Sequence, residues 1–92
     1  MIYNFVFDET KNVKLKAERG IGFEDVIDAI QNGSILDIIP HHNKKDYPNQ
    51  KILLIKIANY VYQVPYLEEG NTLILKTVFA SRKFTKLYLG EI

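Results

Sequence analysis

The amino-acid sequence predicts an α+β fold: a small antiparallel β-sheet with two N-terminal helices packed on one face and a short C-terminal helix. Two helical segments occupy the first third of the chain, β-rich segments joined by tight turns follow after residue 33, and one short helical segment comes last. Such grouping is typical of α+β domains, whereas a parallel nucleotide-binding sheet needs alternating βαβ units. We expect residues 1–92 to form a single domain, because a chain of 92 residues supports one modest core.

Two helices are predicted early in the chain, after a short strand at residues 2–7. Asp8 is a favourable N-cap, and Gly20 a favourable C-terminal stop, for a helix over residues 9–19. This helix has few apolar residues and should be largely exposed. A second helix, ending at Asn32–Gly33, should cover the core because its apolar residues recur at helical spacing. These residues are Phe23, Val26, Ile27 and Ile30.

The middle of the chain has the pattern of β-strands. Residues 35–39 predict a strand that ends at a proline, and residues 41–50 predict a polar loop. Residues 51–58 and 60–67 are apolar and rich in β-forming residues, and Asn59 lies between them. This pattern predicts a hairpin with a tight turn at Asn59.

The C-terminal part of the chain predicts one more strand and a helix. A turn at residues 68–71 leads into a strand over residues 72–80, and Ser81 is a suitable cap for a short helix. Three residues of this helix are expected to face inward. They are Phe84, Leu87 and Tyr88.

Charge is nearly balanced over the whole chain but uneven along it. Twelve Lys and Arg residues against eleven Asp and Glu residues give a net charge of +1, which argues against a uniformly basic nucleic-acid-binding surface. Positive charge is concentrated in residues 11–19 and 71–92, and negative charge in residues 24–28 and 68–69. We therefore expect a basic face and an acidic face.

Cysteine and long apolar segments are absent. The lack of cysteine excludes disulfides and thiolate chemistry and fits the reducing cytoplasm. No apolar run approaches the roughly 20 residues that a membrane-spanning helix needs. Residues 1–8 lack the pattern of a signal peptide. We expect a cytoplasmic protein that does not associate with a membrane.

The start of the C-terminal helix holds three cations, Arg82, Lys83 and Lys86. Cations near a helix N-terminus oppose the helix dipole, whereas the free backbone N–H groups there favour an anion. Arg can also bind phosphate through two parallel hydrogen bonds. Arg82 and Lys83 are therefore candidate catalytic residues, and Lys86 is a candidate phosphate ligand. The alternative is a solvated basic helix end.

The segment of residues 41–51, which includes the predicted loop, is the second candidate site. Metal-independent RNA cleavage needs a base for the 2′-hydroxyl proton, an acid for the leaving oxygen, and cations for the charged transition state. His41 or His42 could supply the proton transfers. The alternative is a polar surface loop with two unremarkable histidines. Further candidate ligands of RNA phosphate are Lys44, Lys45, Lys51 and Lys76.

Neither a metal nor another cofactor is predicted. Adjacent residues of extended chain point to opposite sides, so His41 and His42 should not share one ion. Metal-binding spacings and glycine-rich phosphate loops are absent from the sequence. Glu24, Asp25 and Asp28 are expected to form a solvated helix face, with acids favourably placed in the first turn.

Three segments resemble the BrnT family. They are FDETKN at residues 7–12, RGIGFE at residues 19–24 and SRKFTKLY at residues 81–88, and residues 34–70 match only in outline. At two positions this chain departs from the usual family pattern. It has Arg19 where the family often has His, and Gly22 where the family often has Ser.

The resemblance implies the toxin of a bacterial type II toxin–antitoxin pair with a fold similar to RelE ribonucleases. It implies an endoribonuclease that acts on RNA, contacts phosphate through Arg82 and Lys83, and is neutralised by an antitoxin from the same operon. A proton-transfer role of the family's His at position 19 would be missing here. Homo-oligomerisation stays open. The alternative function is a non-catalytic binding module that docks a protein partner or RNA.

Overall fold

The structure, a computed structural model, describes residues 3–90. The predicted α+β class is confirmed, with three helices and a six-stranded sheet in this range. The elements are β1 (Asn4–Val6), α1 (Glu9–Arg19), α2 (Phe23–Gln31), β2 (Ile35–Pro40), β3 (Lys51–Ile57), β4 (Tyr60–Glu69), β5 (Thr72–Leu75), β6 (Phe79–Ala80) and α3 (Arg82–Leu89).

The sheet is mostly antiparallel, with strand order β1-β5-β4-β3-β2 and β6 pairing with β4. The pair β1–β5 is parallel, a departure from the purely antiparallel sheet of the prediction. Tight turns impose antiparallel pairing on β3, β4 and β5. No such turn links β1 to β5, since the chain between them runs through two helices and three other strands.

Helices cover both faces of the sheet. As predicted, α1 and α2 pack on one face, where Leu15, Phe23 and Val26 meet buried side chains of β3, β4 and β5. On the opposite face, Phe84 and Leu89 of α3 pack against Ile52 and other residues of a smaller cluster. Because β3 is covered on both sides, its four consecutive residues 52–55 are all buried.

A buried asparagine joins α1 to α2. The Asn12 side chain is 1% exposed; its Oδ1 accepts a 2.7 Å hydrogen bond from Phe23 N, and its Nδ2 lies 3.0 and 2.9 Å from the Glu24 carboxylate oxygens. Gly22 packs closely against these side chains: a Cβ atom at position 22 would lie 2.6 Å from Asn12 Oδ1 and 2.7 Å from Lys16 Cε, which is too close. Any side chain at position 22 would therefore displace this contact.

The carboxylate of Glu24 also forms an ion pair with Lys16, at 3.0 Å. The Asn12 hydrogen bonds, followed by Lys16, lower the pKa of Glu24 from 4.5 to about 2. Glu24 was predicted to belong to a merely solvated face. Its two partners show that it also links the helices.

Helix α3 differs in orientation from the prediction. Leu87 is 67% exposed and Tyr88 is 36% exposed, so neither faces inward as expected; Phe84 is half-buried. The buried residue is Thr85, whose hydroxyl donates to the Ser81 carbonyl and accepts from Val61 N. These bonds fix the rotation of α3 beside β4. The Tyr88 hydroxyl lies 2.7 Å from a carboxylate oxygen of Asp37 on β2.

Two predicted strands are shorter than expected. The strand predicted over residues 2–7 is β1, and Met1 and Ile2 lie outside the described residues. The strand predicted over residues 72–80 is divided into β5 and β6. Within residues 3–90, no helix is both long and apolar enough to cross a membrane.

The hairpin turn between β3 and β4 was predicted correctly. Ile57 pairs with Tyr60, and the two residues between them, Ala58 and Asn59, have φ angles of 50° and 65°. Positive φ at both central residues defines a type I′ turn, which matches the twist of the strands. Asn tolerates this conformation, but the Cβ of Ala58 is strained in it.

Ala58→Gly should raise the free energy of unfolding by about 0.5–1 kcal/mol, because glycine adopts positive φ without the steric cost of a Cβ. Urea unfolding monitored by circular dichroism measures the change. The control is Ala17→Gly in the exposed helix α1, which should lower the free energy by about 1 kcal/mol. A destabilised Ala58→Gly protein would contradict the strain at this turn.

Glu24→Gln should reduce the dependence of stability on acidic pH. Since the folded-state pKa of Glu24 is lowered to about 2, its carboxylate stabilises the fold above pH 4.5, and this contribution is lost as pH falls towards 2. Urea unfolding at several pH values would measure it. The matched control is Glu69→Gln, which changes an exposed carboxylate at the end of β4; identical pH profiles for the two variants would contradict the role of Glu24.

Candidate functional site

A groove of about 510 Å³ lies between the loop of residues 41–50, the sheet and α1. Ile52 and Pro65 form its apolar floor, and Lys11 reaches it from α1. The loop side is lined by His41, His42, Tyr47 and Gln50, and the opposite side by Lys76, Thr77 and Phe79. The groove thus collects side chains from segments that are distant in the sequence.

A one-residue bulge places Lys76, Thr77 and Phe79 on the same groove. Leu75 of β5 pairs with Tyr66, and Phe79 of β6 pairs with Gln63. Between these two pairs the chain from β5 to β6 covers four residue steps while β4 covers three, so the β5–β6 side has one extra residue. The extra residue interrupts the strand predicted over residues 72–80 and shifts the alternation of side chains. Bulges are common beside functional sites for this reason.

Arg19 holds the bulge against the end of α1. Val78 is fully buried within the bulge, and its carbonyl accepts a hydrogen bond from the Arg19 guanidinium. This is the position where the BrnT family often has His. In this chain the residue at position 19 positions the backbone beside Lys76 and Thr77, instead of supplying an imidazole.

His42 is held by two neighbouring side chains. Its Nε2 lies 2.7 Å from Oε1 of the Gln63 side-chain amide. Its ring lies roughly parallel to that of Phe84, with 6.3 Å between the ring centroids. An amide oxygen accepts and does not donate, so this contact is a hydrogen bond when Nε2 carries the proton. In the neutral ring, Nδ1 is then the free lone pair. A base at this position would therefore use Nδ1.

His41 has the opposite nitrogen engaged. Its Nδ1 accepts a 3.0 Å hydrogen bond from Asn43 N, which leaves Nε2 as the free N–H of the neutral ring. Its ring centroid lies 4.7 Å from that of Tyr47 and 6.4 Å from that of His42. Both imidazoles border one groove. The expectation that they point to opposite sides is wrong, because the chain leaves the extended conformation after Pro40.

The loop itself is held by short-range hydrogen bonds. Asn43 Nδ2 donates to the Asp46 carboxylate at 2.9 Å, and Asn43 Oδ1 accepts from Asp46 N at 3.2 Å. The Asn43 carbonyl accepts from Tyr47 N at 3.0 Å. Asn side chains commonly stabilise turns in this way. The loop therefore presents Tyr47 from a defined turn.

The predicted cations fall into three groups. Lys76 lines the groove, together with Lys11, which the sequence analysis did not select. Lys44 and Lys51 line a second cavity on the other side of the loop. The third group, exposed residues that line neither cavity, consists of Lys45, Arg82, Lys83 and Lys86. Within this group, the Lys83 ammonium lies 5.6 Å from the centroid of the Phe84 ring.

Two contributors to the site had weak signals in the sequence. Gln63 interrupts a strand whose neighbours are apolar, and its side chain is 8% exposed. A buried amide needs a hydrogen-bond partner, which was the available signal. Lys11 was visible only as one of several cations of α1. Within residues 3–90, no group of three or more His, Asp and Glu side chains is placed to hold a metal ion.

Comparisons of the chain with protein-family models, with curated protein sequences and with solved structures found no match. The resemblance to the BrnT family therefore stays a prediction that depends on the motifs at residues 7–12, 19–24 and 81–88.

The imidazole hydrogen bonds predict tautomers that NMR can measure. At a pH where the imidazoles are neutral, both His41 and His42 should carry the proton on Nε2. Long-range ¹H–¹⁵N correlation spectra distinguish the two nitrogens. Gln63→Leu should lower the Nε2–H population of His42 towards that of a free imidazole and leave that of His41 unchanged. A wild-type His42 protonated on Nδ1 would contradict the role of Gln63.

Proposed function

We propose that this protein is the toxin of a bacterial type II toxin–antitoxin pair, a metal-independent endoribonuclease that blocks translation in the cytoplasm. The observation that carries the proposal is the groove, which combines two imidazoles with Lys11 and Lys76. None of the groove's described lining residues is acidic. Such a surface favours a polyanion whose cleavage requires proton transfer.

The hydrogen bonds suggest distinct roles for the two histidines. His42 Nδ1 takes the proton of a ribose 2′-hydroxyl, and the 2′-oxygen forms a bond to the adjacent phosphorus. The bond from phosphorus to the 5′-oxygen breaks, and that oxygen takes a proton from an ammonium, for which Lys11 and Lys76 are candidates. The products are a 2′,3′-cyclic phosphate and a 5′-hydroxyl. His41 Nε2–H donates a hydrogen bond to a phosphate oxygen.

The residues selected from the sequence differ in how close they lie to the groove. His41, His42 and Lys76 border the groove, whereas Arg82 and Lys86 lie outside it on α3. Lys83 lies beside Phe84, the residue that stacks on His42. Arg82, Lys83 and Lys86 fit the binding of flanking RNA phosphates better than the reaction itself.

The proposed partner is an antitoxin from the same operon. It must neutralise a basic groove, so an acidic or amphipathic segment that covers Lys11 and Lys76 fits the charge of this surface. Antitoxin and RNA would then compete for the same side chains. Homo-oligomerisation is not needed for this function.

A non-catalytic binding module is the second candidate, and one observation favours it. Leu87 and Tyr88 are exposed on the same helix as Arg82, Lys83 and Lys86. Exposed apolar side chains among cations form a surface suited to a protein partner. A neighbouring gene for a small ribbon–helix–helix protein would favour the toxin, and its absence would favour the module.

Induced expression in a bacterial host, with growth and total-RNA integrity as readouts, tests the proposed function. Wild type should arrest growth and fragment RNA. His42→Ala should lower cleavage by purified protein by about 10²–10⁴-fold, the usual effect of losing a general base. Lys76→Ala should lower it less, and Arg82→Ala should mainly weaken RNA binding. Cleavage should persist with a chelator present.

The matched control is Lys56→Ala, which removes an exposed lysine of β3 that does not line the groove. It should behave as wild type. Intact RNA and normal growth on wild-type expression would contradict the ribonuclease and favour the binding module. If His42→Ala cleaved RNA at the wild-type rate, only the proposed role of His42 would be refuted, and the ribonuclease proposal would stand.

A further inference from the structure

A second cavity, of about 300 Å³, lies on the other side of the loop of residues 41–50. It shares His41 and Gln50 with the groove, so the two cavities are adjacent and separated only by this loop. The hydrogen bonds around Asn43 keep that loop in a defined turn. A ligand that occupies the groove could therefore continue into the second cavity across His41.

The second cavity combines apolar walls with two cations. Ile38, Pro40 and Pro48 supply apolar surface, and Ile38 is 50% exposed although it is a large aliphatic residue. Lys44 and Lys51 supply positive charge, and none of the described lining residues is acidic. Within residues 3–90 the close ion pair is Lys16–Glu24, so neither Lys44 nor Lys51 forms a direct ion pair, although Lys51 also borders a neighbouring cavity that Glu68 lines.

This chemistry fits one nucleotide of a single-stranded RNA. A base has an apolar face that can pack on aliphatic and proline side chains, and its phosphate can be bound by lysine. A base within a duplex is stacked and paired on both sides, so only an unpaired base can enter a cavity. The shared residue His41 places this nucleotide next to the one in the groove.

We propose that the second cavity is a subsite for the unpaired nucleotide that adjoins the cleaved one, with its base on Ile38 and Pro48 and its phosphate on Lys44 and Lys51. The proposal rests on the proposed function, since it takes RNA as the ligand of the groove. It adds that the substrate is single-stranded and is held on both sides of the loop. This subsite contributes to binding and leaves the reacting atoms untouched.

Fluorescence anisotropy with a labelled 2′-O-methyl RNA hexamer tests the subsite, because this RNA lacks the 2′-hydroxyl and cannot be cleaved. Ile38→Ser and Lys51→Gln should each weaken binding about tenfold, in line with the cost of losing a base or phosphate contact. The controls are Ile35→Ser, on the same strand, and Lys56→Gln, at the other end of β3. A blunt-ended, fully paired duplex of two such strands should bind more weakly than the single-stranded hexamer.

The cavity variants separate the subsite from the proposed function. Weakened binding by both cavity variants, with both controls at the wild-type value, supports the subsite. Wild-type affinity in Ile38→Ser and Lys51→Gln overturns it, while His42-dependent cleavage would still support the ribonuclease. Equal affinity for the fully paired duplex overturns the single-stranded preference. Absence of any RNA binding by wild type overturns both proposals. Thermal unfolding of Ile38→Ser verifies its fold, and Lys51→Gln tests the same cavity from the exposed surface.

Discussion

The bulge between β5 and β6 is the constraint on which the groove depends. One extra residue on this edge turns Val78 into the core and leaves Lys76, Thr77 and Phe79 along the groove. The hydrogen bond from Arg19 to the Val78 carbonyl satisfies a backbone group that the sheet does not pair, and it ties the bulge to α1. Regular pairing along this edge would place different side chains on the groove.

The sheet tolerates this irregularity because its centre is strongly specified. Strand β3 is buried on both faces, and its tight turn to β4 sets the register of the central pair. Helices α1 and α2, joined through Asn12, cover one face, while α3 covers part of the other. Departures from regular structure therefore occur at the periphery, in the loop of residues 41–50 and at the bulge, where they shape cavities.

The two imidazoles illustrate how neighbouring hydrogen bonds determine which ring nitrogen of a histidine stays free. Gln63 takes one nitrogen of His42, and the backbone N–H of Asn43 is bonded to the other type of nitrogen in His41. The free ring nitrogen is therefore Nδ1 in His42 and Nε2 in His41. The surrounding cations come from α1, the bulge and the loop, so the basic surface is local although the net charge of the chain is +1.

The sequence by itself determined the α+β class, the bounds of α1 and the turn at Asn59, because periodicity, caps and turn residues act within a few positions of one another. Only the tertiary structure decided the parallel pairing of β1, the bulge at residues 76–78, the burial of Thr85 in place of Leu87, and the contribution of Lys11 and Gln63 to the site. These depend on contacts between segments far apart in the chain. A local sequence pattern does not indicate which distant residue lines the groove, as Lys11 does, or which one hydrogen-bonds to His42, as Gln63 does.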